Sequence, residues 1–444
     1  MTPADWRNYV YKLQPDIVFA LSDTPFTAPP HSQKRVTKSI ERSAAWLADL
    51  LRPLEGHDSS HPSLGSERLS QHPLNVFVNM AGGTSVPARE AFAYSLSEAL
   101  FGPDLQAVSP LKRLDDGIAG YSFDLATLRG AIPQPLAPHH RTPPASFLEQ
   151  EVPVMIQDKK ALIELQTPGN GILPNSLPVP SRFCEPSVPP NVVPLLQASL
   201  RGLQAGKPRL VTAARSPHEI LRLIRDVGVD IFDAELAVAA ANVGVALDFV
   251  FPLPPAEKEV VVGEKKDMGH NLYDVVYADQ FGRLSDCLAG AAESQSSSSL
   301  MVCHCIACSP RLQASHVLHS NVDIQSYAED NRSEELYRPP HSRAYLHHLL
   351  RTHEMSAHTL LVAHNLAVMD IFLAGVRNIL VDEEEGNNED KIARFALEVN
   401  RFERAYDESM GVISAARKDW SDVDLARGKG RLAREREKHV QGTD

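Results

Sequence analysis

The chain has 444 residues, of which 43% are hydrophobic and 23% are charged. It can therefore bury a large core, as one large barrel or two ordinary domains, without disulfide bonds. The 56 Asp and Glu residues against 44 Lys and Arg residues give a net charge of −12, which excludes a wholly basic nucleic-acid-binding surface. Neither a secretory leader nor a run of about 18 apolar residues is evident, so we expect a cytoplasmic protein without a transmembrane segment.

The first 130 residues alternate between short apolar runs and amphipathic stretches. This pattern predicts parallel strands at residues 16–21, 75–80 and 117–124, joined by crossover helices. One helix is expected from Ser32, where apolar residues recur at helical spacing, and another at residues 87–100. The basic residues on the other face of the first helix are Lys34, Arg35, Lys38 and Arg42.

A proline-rich stretch interrupts this alternation, since 14 of the 33 prolines lie between residues 133 and 194. Proline lacks a backbone donor and disrupts helices, so we expect a mostly irregular insertion. The alternation then resumes, and residues 260–284 are expected to be rich in β-structure. The later elements predicted are strands at 209–213, 230–236 and 245–251, helices at 217–227, 344–354, 357–380 and 391–416, and a basic tail from residue 427.

Cysteine usage points to a metal site. An odd number of cysteines in a large chain argues against a disulfide framework. The five are Cys184, Cys287, Cys303, Cys305 and Cys308. The last three form a C-x-C-x-x-C motif, whose thiolates can converge on one tetrahedral zinc ion from a single tight turn. The alternative is a group of buried or redox-active cysteines.

A closed zinc site needs a fourth ligand, and imidazole is the usual partner of thiolates. A histidine on a rigid helix is favoured. The residues alone leave His347, His348 and His364 open.

Three motifs together resemble the tRNA-guanine transglycosylases, which exchange guanine in tRNA for queuine or a related base. These are the C-x-C-x-x-C motif, RAYLHHLL at residues 343–350 and HNL at residues 364–366. Carried over from the family, the ligands of one zinc ion per chain are Cys303, Cys305, Cys308 and His364. The resemblance extends to LQPDIVFALSD at 13–23, KRVTKSIER at 34–42 and GVDIFD at 228–233, which are most similar to the family's eukaryotic accessory subunit.

This resemblance implies an α/β fold, a TIM (β/α)8-type barrel with an inserted zinc-binding subdomain and C-terminal helices. Family members carry roughly a hundred residues before the first matching segment, so we expect the first barrel strands to be missing. The expected organisation is the N-terminal part of the barrel at 1–130, the proline-rich insertion at 131–200, the C-terminal part of the barrel at 201–300, the zinc-binding subdomain at 301–381, and a C-terminal helical region with a basic tail at 382–444.

The family's catalytic positions are only partly retained. By resemblance, Asp233 occupies the position of the nucleophile, at the end of a strand; its alternative role is helix capping. Ser22 stands where catalytic members have a base-recognising Asp, and Ala81 where they have a Gln. Residues 120–122 replace a Gly-Gly-Leu run, and Tyr121 would crowd the base. Asp23, next to Ser22, is expected to point elsewhere.

The resemblance therefore implies a non-catalytic accessory subunit that pairs with a catalytic queuine tRNA-ribosyltransferase subunit as a heterodimer and helps to hold tRNA, not DNA. The alternatives are an active transglycosylase using Asp233 and a zinc-dependent RNA-binding module, which the acidic net charge disfavours.

The family places the dimer contact near Tyr345, Leu349 and the helix at 357–380; the alternative is a helix buried on both sides. The expected location is the cytoplasm, with the mitochondrial surface as a second possibility by family resemblance.

Overall fold

The structure, a computed structural model, describes residues 2–24, 31–53, 74–132, 192–254, 265–294, 300–311, 337–381 and 387–441, with the backbone alone for 293–294 and 427–441. The helices in these residues are α1 (Pro3–Leu13), α2 (Gln33–Leu51), α3 (Val86–Ser97), α4 (Gly102–Ala107), α5 (Leu125–Ala131), α6 (Val193–Leu200), α7 (Pro217–Val227), α8 (Glu235–Asn242), α9 (Ala291–Ser294), α10 (Arg343–Arg351), α11 (Met355–Val381), α12 (Asn388–Ala405) and α13 (Gly411–Gln441). The strands are β1 (Val18–Phe19), β2 (Val76–Asn79), β3 (Gly120–Asp124), β4 (Arg209–Thr212), β5 (Ile231–Phe232), β6 (Val245–Leu247), β7 (Gly269–Asn271), β8 (Leu288–Ala289) and β9 (Met301–Val302).

The first five strands form one parallel sheet in sequence order. Val18 pairs with Val76, Phe77 with Gly120, Tyr121 with Arg209 and Leu210 with Ile231. This confirms the predicted parallel sheet with crossover helices. Closure of the sheet into a barrel stays a prediction. Two further pairs are described, antiparallel β6–β7 and parallel β8–β9.

Helices begin close to the carboxyl ends of the parallel strands, and side chains cap them. The hydroxyl groups of Ser32, Ser85 and Ser216 accept hydrogen bonds from backbone N–H groups in the first turns of α2, α3 and α7. Asp124 caps α5 in the same way. Each cap satisfies a donor that the helix itself leaves free, so the chain is fixed where each strand turns into a helix.

Apolar side chains collect in two clusters. The N-terminal core lies between β1–β5 and α1–α7, and its largest fully buried side chains include Tyr121 and Phe92. The C-terminal core joins β6 and β7 to α8 and α10–α13, and also contains the three clustered cysteines. Phe232 packs against both clusters. The expected domain boundaries remain a proposal.

The local structure differs from the expectations in several places. Residues 260–284 were expected to be rich in β-structure, but their described part, 265–284, contains one strand of three residues, β7, and a short 3-10 helix at Val275–Tyr277. The strand predicted at 230–236 ends at Phe232, because α8 begins at Glu235. The helix predicted at 391–416 is two helices. The chain leaves the helical conformation at Tyr406 and takes a positive φ of 53° at Met410 before α13 begins. Helix α1 was not predicted, although Thr2 and Asp5 form a capping box at its start. Most of the proline-rich stretch, 133–191, lies outside the described residues.

Helix α11 is the one described helix that is long and apolar enough to cross a membrane by length and composition alone, a test that buried core helices also pass. The burial of its side chains indicates that α11 is a helix of the protein core. Five of the apolar residues that predicted a partner surface are buried within the chain: Leu361, Met369, Phe372, Val376 and Ile379. Leu349 is buried as well, contrary to expectation, whereas Tyr345 and Leu366 are exposed. The alternative of a helix largely buried within its own chain therefore accounts for most of this sequence pattern.

Gly375 marks where α11 crosses the segment after β6 so closely that no side chain fits. A β-carbon at Gly375 would overlap the carbonyl oxygen of Phe251, whereas one at Gly130 in α5 would meet nothing within 4 Å. We expect Gly375→Ala to destabilise the protein by about 1–3 kcal/mol through overpacking. Gly130→Ala, the matched helical control, should stabilise it by up to about 1 kcal/mol, because alanine favours helix. Urea denaturation measures both, and equal effects would contradict this packing.

His218 should make stability depend on pH. Its ring is buried, Nε2 lies 3.3 Å from the carbonyl oxygen of Tyr406, and Nδ1 has no hydrogen-bond partner. Burial lowers the pKa of His218 below its ordinary value of 6.5, against the opposing charge of Glu408. At low pH the unfolded chain therefore binds a proton that the folded chain resists.

We expect the contribution of His218 to be fully present above pH 6.5 and to be lost as the pH falls through the lowered pKa. His218→Leu should lose less of its free energy of unfolding than the parent between about pH 7.5 and 5.5. Urea titrations at several pH values measure this difference, and parallel pH profiles for the two proteins would contradict it.

Candidate metal centre

The three cysteines lie in one tight turn directly after β9. The N–H group of Cys303 donates to the carbonyl oxygen of Ala289 at 2.8 Å, which ties the start of the turn to β8. Ser309 closes the turn, since its hydroxyl group donates to the carbonyl oxygen of Cys303 at 2.6 Å and its N–H group to that of Cys305 at 2.8 Å. The main chain thus holds the three thiols on one side of a short loop.

His364 reaches this loop from the middle of α11. Its Nδ1 atom lies 3.9 Å, 4.0 Å and 3.3 Å from the sulfur atoms of Cys303, Cys305 and Cys308. On the other side of the ring, Nε2 donates to the carbonyl oxygen of Leu247 at 3.0 Å. A carbonyl can only accept, so Nε2 carries the proton and, in the neutral ring, Nδ1 presents its lone pair to the thiols.

The donor set fits a tetrahedral zinc ion. All four side chains are buried, and their ligand atoms lie within 4.8 Å of one another. Zinc–sulfur bonds of about 2.3 Å and zinc–nitrogen bonds of about 2.0 Å place tetrahedral ligand atoms about 3.5 Å apart, close to the distances between Nδ1 and the sulfur atoms. Hydrogen bonds from Cys303 and Cys308 lower the pKa of Cys305, which favours the thiolate needed for metal binding.

Asn365, the next residue, fixes the position of His364. Its Oδ1 atom accepts a hydrogen bond from the N–H group of Leu247 at 2.8 Å. Its Nδ2 atom donates to the carbonyl oxygens of Val245 at 2.9 Å and Ala237 at 3.1 Å. The amide is fully buried, so these three bonds join α11 to β6 and α8 and hold the imidazole against the loop.

The other two candidate histidines lie away from the thiols. His347 is buried, and its Nδ1 atom lies 2.9 Å from the carbonyl oxygen of Leu272, so it packs α10 against the segment after β7. His348 is exposed on the same helix. Of the three histidines that the residues left open, the structure brings only His364 to the cysteines.

A second polar cluster, which the sequence did not reveal, surrounds Asp248 at the end of β6. The carboxylate is fully buried, with His270 Nε2 at 3.1 Å and Lys266 Nζ at 3.4 Å from Oδ2. Arg343 donates to the nearby carboxylate of Asp286 at 2.7 Å. Although Asp248, His270 and Asp286 are close enough to share a metal ion, Lys266 and Arg343 already supply positive charge. The sequence signal was an Asp within an apolar run, at residues 245–251.

Asp233 lies at the carboxyl end of β5 and is half-buried. Its Oδ2 atom accepts from the N–H group of Ala213 at 3.0 Å, and Oδ1 from that of Glu235 at 3.3 Å. Ala213 has a positive φ of 62°, unfavourable for a residue with a side chain. The carboxylate therefore joins the ends of two neighbouring strands to the first residue of α8, whose N-cap is Ala234. The correspondence of Asp233 to the family's nucleophile stays a prediction.

The remaining sequence-predicted positions follow the other parallel strands. Ser22, after β1, accepts a hydrogen bond from Asn79 at 3.2 Å, and Ala81 follows β2. The carboxylate of Asp23 faces α2, as expected from its place on the strand.

The expectation for Tyr121 was wrong. Its ring lies in the N-terminal core and its hydroxyl group donates to Asp115 at 2.7 Å, near the amino end of β3, so it does not crowd the edge that carries Ser22 and Asp233.

Comparison with known proteins agrees with this geometry. A family model described as queuine tRNA-ribosyltransferase matches residues 184–395, which include the four clustered ligands. The chain is similar to proteins named queuine tRNA-ribosyltransferase accessory subunit 2. It is 29% identical over 206 residues to that of Schizosaccharomyces pombe, 26% over 186 residues to that of Drosophila virilis and 25% over 217 residues to that of Homo sapiens.

These similarities cover part of each chain. The matched segments are 46%, 42% and 46% of this chain, and 34%, 32% and 43% of the three relatives in the same order. The chain thus spans about a third to two fifths of the length of the curated relatives that it matches.

Removal of one cluster ligand should release the metal, whereas removal of the cysteine outside the cluster should not. We expect Cys305→Ser to reduce metal content from about one ion per chain to a small fraction and to destabilise the C-terminal core, because binding and folding are linked. Cys287→Ser is the matched control, since the sulfur atom of Cys287 accepts a hydrogen bond from Lys266 and lies outside the cluster. Elemental analysis of the purified proteins measures the difference, and equal metal content in both variants would contradict the ligand set.

Proposed function

We propose that this chain, which belongs to the queuine tRNA-ribosyltransferase (tRNA-guanine transglycosylase) family, is a non-catalytic accessory subunit that works with a catalytic transglycosylase on tRNA. The similarity to several proteins named accessory subunit 2 carries the proposal. The relatives are longer than the matched segments, so the activity and the partners of the whole assembly are part of the proposal. The reaction is the exchange of guanine for queuine at the wobble position of the anticodon.

The edge of the parallel sheet supports a non-catalytic role. Selective binding of guanine requires donors and acceptors that pair with its polar edge. Ala81 offers no such side-chain group, and Ser22 offers one hydroxyl group that already bonds to Asn79. Asp233 already accepts two backbone hydrogen bonds, from Ala213 and Glu235. Without neighbouring groups that recognise guanine, this carboxylate alone is not expected to support base exchange.

The metal that we assign to the buried cluster is one structural Zn2+ per chain, held by Cys303, Cys305, Cys308 and His364. Three thiolates and one imidazole complete a tetrahedral shell and leave no open position for a substrate, as in structural zinc sites. Residues 301–381 would then form a zinc-binding subdomain on a barrel-like α/β body. The ion would hold the loop after β9 to α11.

The catalytic partner would form a heterodimer with this chain in the cytoplasm. Among the apolar residues of the helices predicted to form that contact, Tyr345 on α10 and Leu366 on α11 have exposed side chains. Tyr345 stacks on His341 at 5.2 Å between ring centroids, so an aromatic pair is presented next to the cysteine loop. Aromatic residues of this kind are enriched where proteins meet.

The test of a non-catalytic role is the exchange of labelled guanine in tRNA. We expect no exchange by the chain alone, and support of exchange when the catalytic partner is added. Asp233→Asn should support the partner as well as the parent does, because the amide keeps one hydrogen-bond acceptor and removes the nucleophile. Size-exclusion chromatography of each mixture controls for assembly.

An active transglycosylase gives the opposite result. Loss of exchange by the heterodimer with Asp233→Asn, while assembly is retained, would replace the accessory role with catalysis by Asp233.

A further inference from the structure

The first two turns of α2 carry cations without an acidic residue between them, and the exposed Glu41 follows one turn after Lys38. Residues 24–40 contain no Asp or Glu, although the chain as a whole has a net charge of −12. Within this segment Lys34 and Lys38 are exposed. Neither lysine forms an ion pair with any residue that the structure describes. Glu41 is the nearest acidic residue on the same helix, and it too lies outside the described ion pairs.

Asp23 cannot neutralise these lysines, because two arginines already occupy its carboxylate. Arg35 binds it through two parallel hydrogen bonds of 2.7 Å and 2.8 Å, and Arg42 approaches Oδ2 at 3.2 Å. The carboxylate is only 11% exposed, whereas the side chain of Arg42 is 54% exposed. One buried negative charge thus serves two cations, and the surface of this half of α2 stays positive.

The spacing of the cations produces a ridge along the helix. Lys34, Lys38 and Arg42 are four residues apart, so they lie on one face at steps of about 6 Å. Like charges at this spacing repel each other and destabilise a helix. Two unpaired lysines, followed by the exposed Arg42 that shares the Asp23 carboxylate with Arg35, extend over about 12 Å and are suited to the regularly spaced phosphates of a nucleic-acid strand. We call Lys34, Lys38 and Arg42 the α2 ridge.

Helix α2, which carries the α2 ridge, is attached to the loop that contains Ser22. The loop after β1 is attached to α2, because the N–H group of Asp23 donates to the hydroxyl oxygen of Ser43 at 2.9 Å and the hydroxyl group of Ser39 donates to the carbonyl oxygen of Asp23. These bonds hold the middle of α2 against the loop that follows β1, and leave the α2 ridge on the exposed side of the helix.

We infer that the α2 ridge binds phosphates of the tRNA backbone. The inference rests on the proposed function for the identity of the RNA, and on the unpaired lysines for the location of the contact. Phosphate contacts of this kind position an RNA without reading its sequence, which is the contribution expected of a subunit that lacks base-reading groups.

The test measures the affinity of the full-length chain for fluorescently labelled tRNA transcript over a range of salt concentrations. We expect Lys34→Gln/Lys38→Gln to weaken binding severalfold and to reduce the slope of log affinity against log salt by about two, one for each lost contact. Lys34→Arg/Lys38→Arg should retain both affinity and slope, because the charge is kept. Circular dichroism checks that α2 remains folded.

Lys12→Gln/Lys112→Gln is the matched control, since both lysines are exposed and the change in net charge is the same. If it weakens binding as much as the ridge variant, net charge rather than the ridge is responsible and the inference is overturned. The same holds if the ridge variant binds tRNA like the parent, or if it loses only binding to phosphatidylserine vesicles. A parent chain that binds no tRNA, alone or with the catalytic partner, would overturn the proposed function itself.

Discussion

Two adjacent residues of α11, His364 and Asn365, connect the C-terminal half of the described chain to its β-structure. The imidazole and the amide together bond to both the N–H and the carbonyl group of Leu247 and to the carbonyl group of Val245. The other side of the imidazole faces three buried thiols. The position of α11 therefore depends on hydrogen bonds to one short strand, β6. A metal ion bound by the cluster would also attach the cysteine loop to α11. Fully buried polar groups stabilise such an arrangement only when every bond is made.

The buried and half-buried carboxylates share a second constraint. Asp23 is held by two arginines, Asp233 by two backbone N–H groups, and Asp248 by a lysine, a histidine and neighbouring backbone donors. Burial alone would raise the pKa of Asp248, but these partners lower it well below its usual range. In the described residues these carboxylates keep loops and strand ends in place.

The sequence predicted the parts of this structure that depend on local patterns. The strand–helix alternation predicted the parallel sheet with its crossover helices, and Ser32 and Pro217 marked the starts of α2 and α7. Spacing alone predicted that the three cysteines form one turn suited to a metal ion, and the structure brings them together in such a turn. The choice of His364 over His347 came from family resemblance, because a one-dimensional pattern does not show which helical histidine faces a loop about sixty residues away.

What the sequence could not show depends on packing between distant segments. The Asp248 cluster assembles from residues 248, 266, 270, 286 and 343, and all of these except Asp248, which lies in an apolar run, resemble ordinary surface residues in the sequence. Tyr121 was expected beside the base because it stands where the family has a glycine, and this correspondence does not show in which direction the longer side chain extends. Likewise, the apolar residues of α11 did not distinguish a buried helix from a partner surface, since both require the same composition.

The central claim, that three thiolates and the Nδ1 atom of His364 hold one closed zinc site, is tested most directly by X-ray absorption at the zinc edge on the purified full-length chain. The account predicts a first shell of three sulfur atoms at about 2.3 Å and one nitrogen atom at about 2.0 Å. The nitrogen contribution should be replaced or lost in His364→Ala, whereas it should be unchanged in His348→Ala, an exposed histidine on the adjacent helix. A shell of nitrogen and oxygen atoms without sulfur, or an unchanged shell in His364→Ala, would contradict the account.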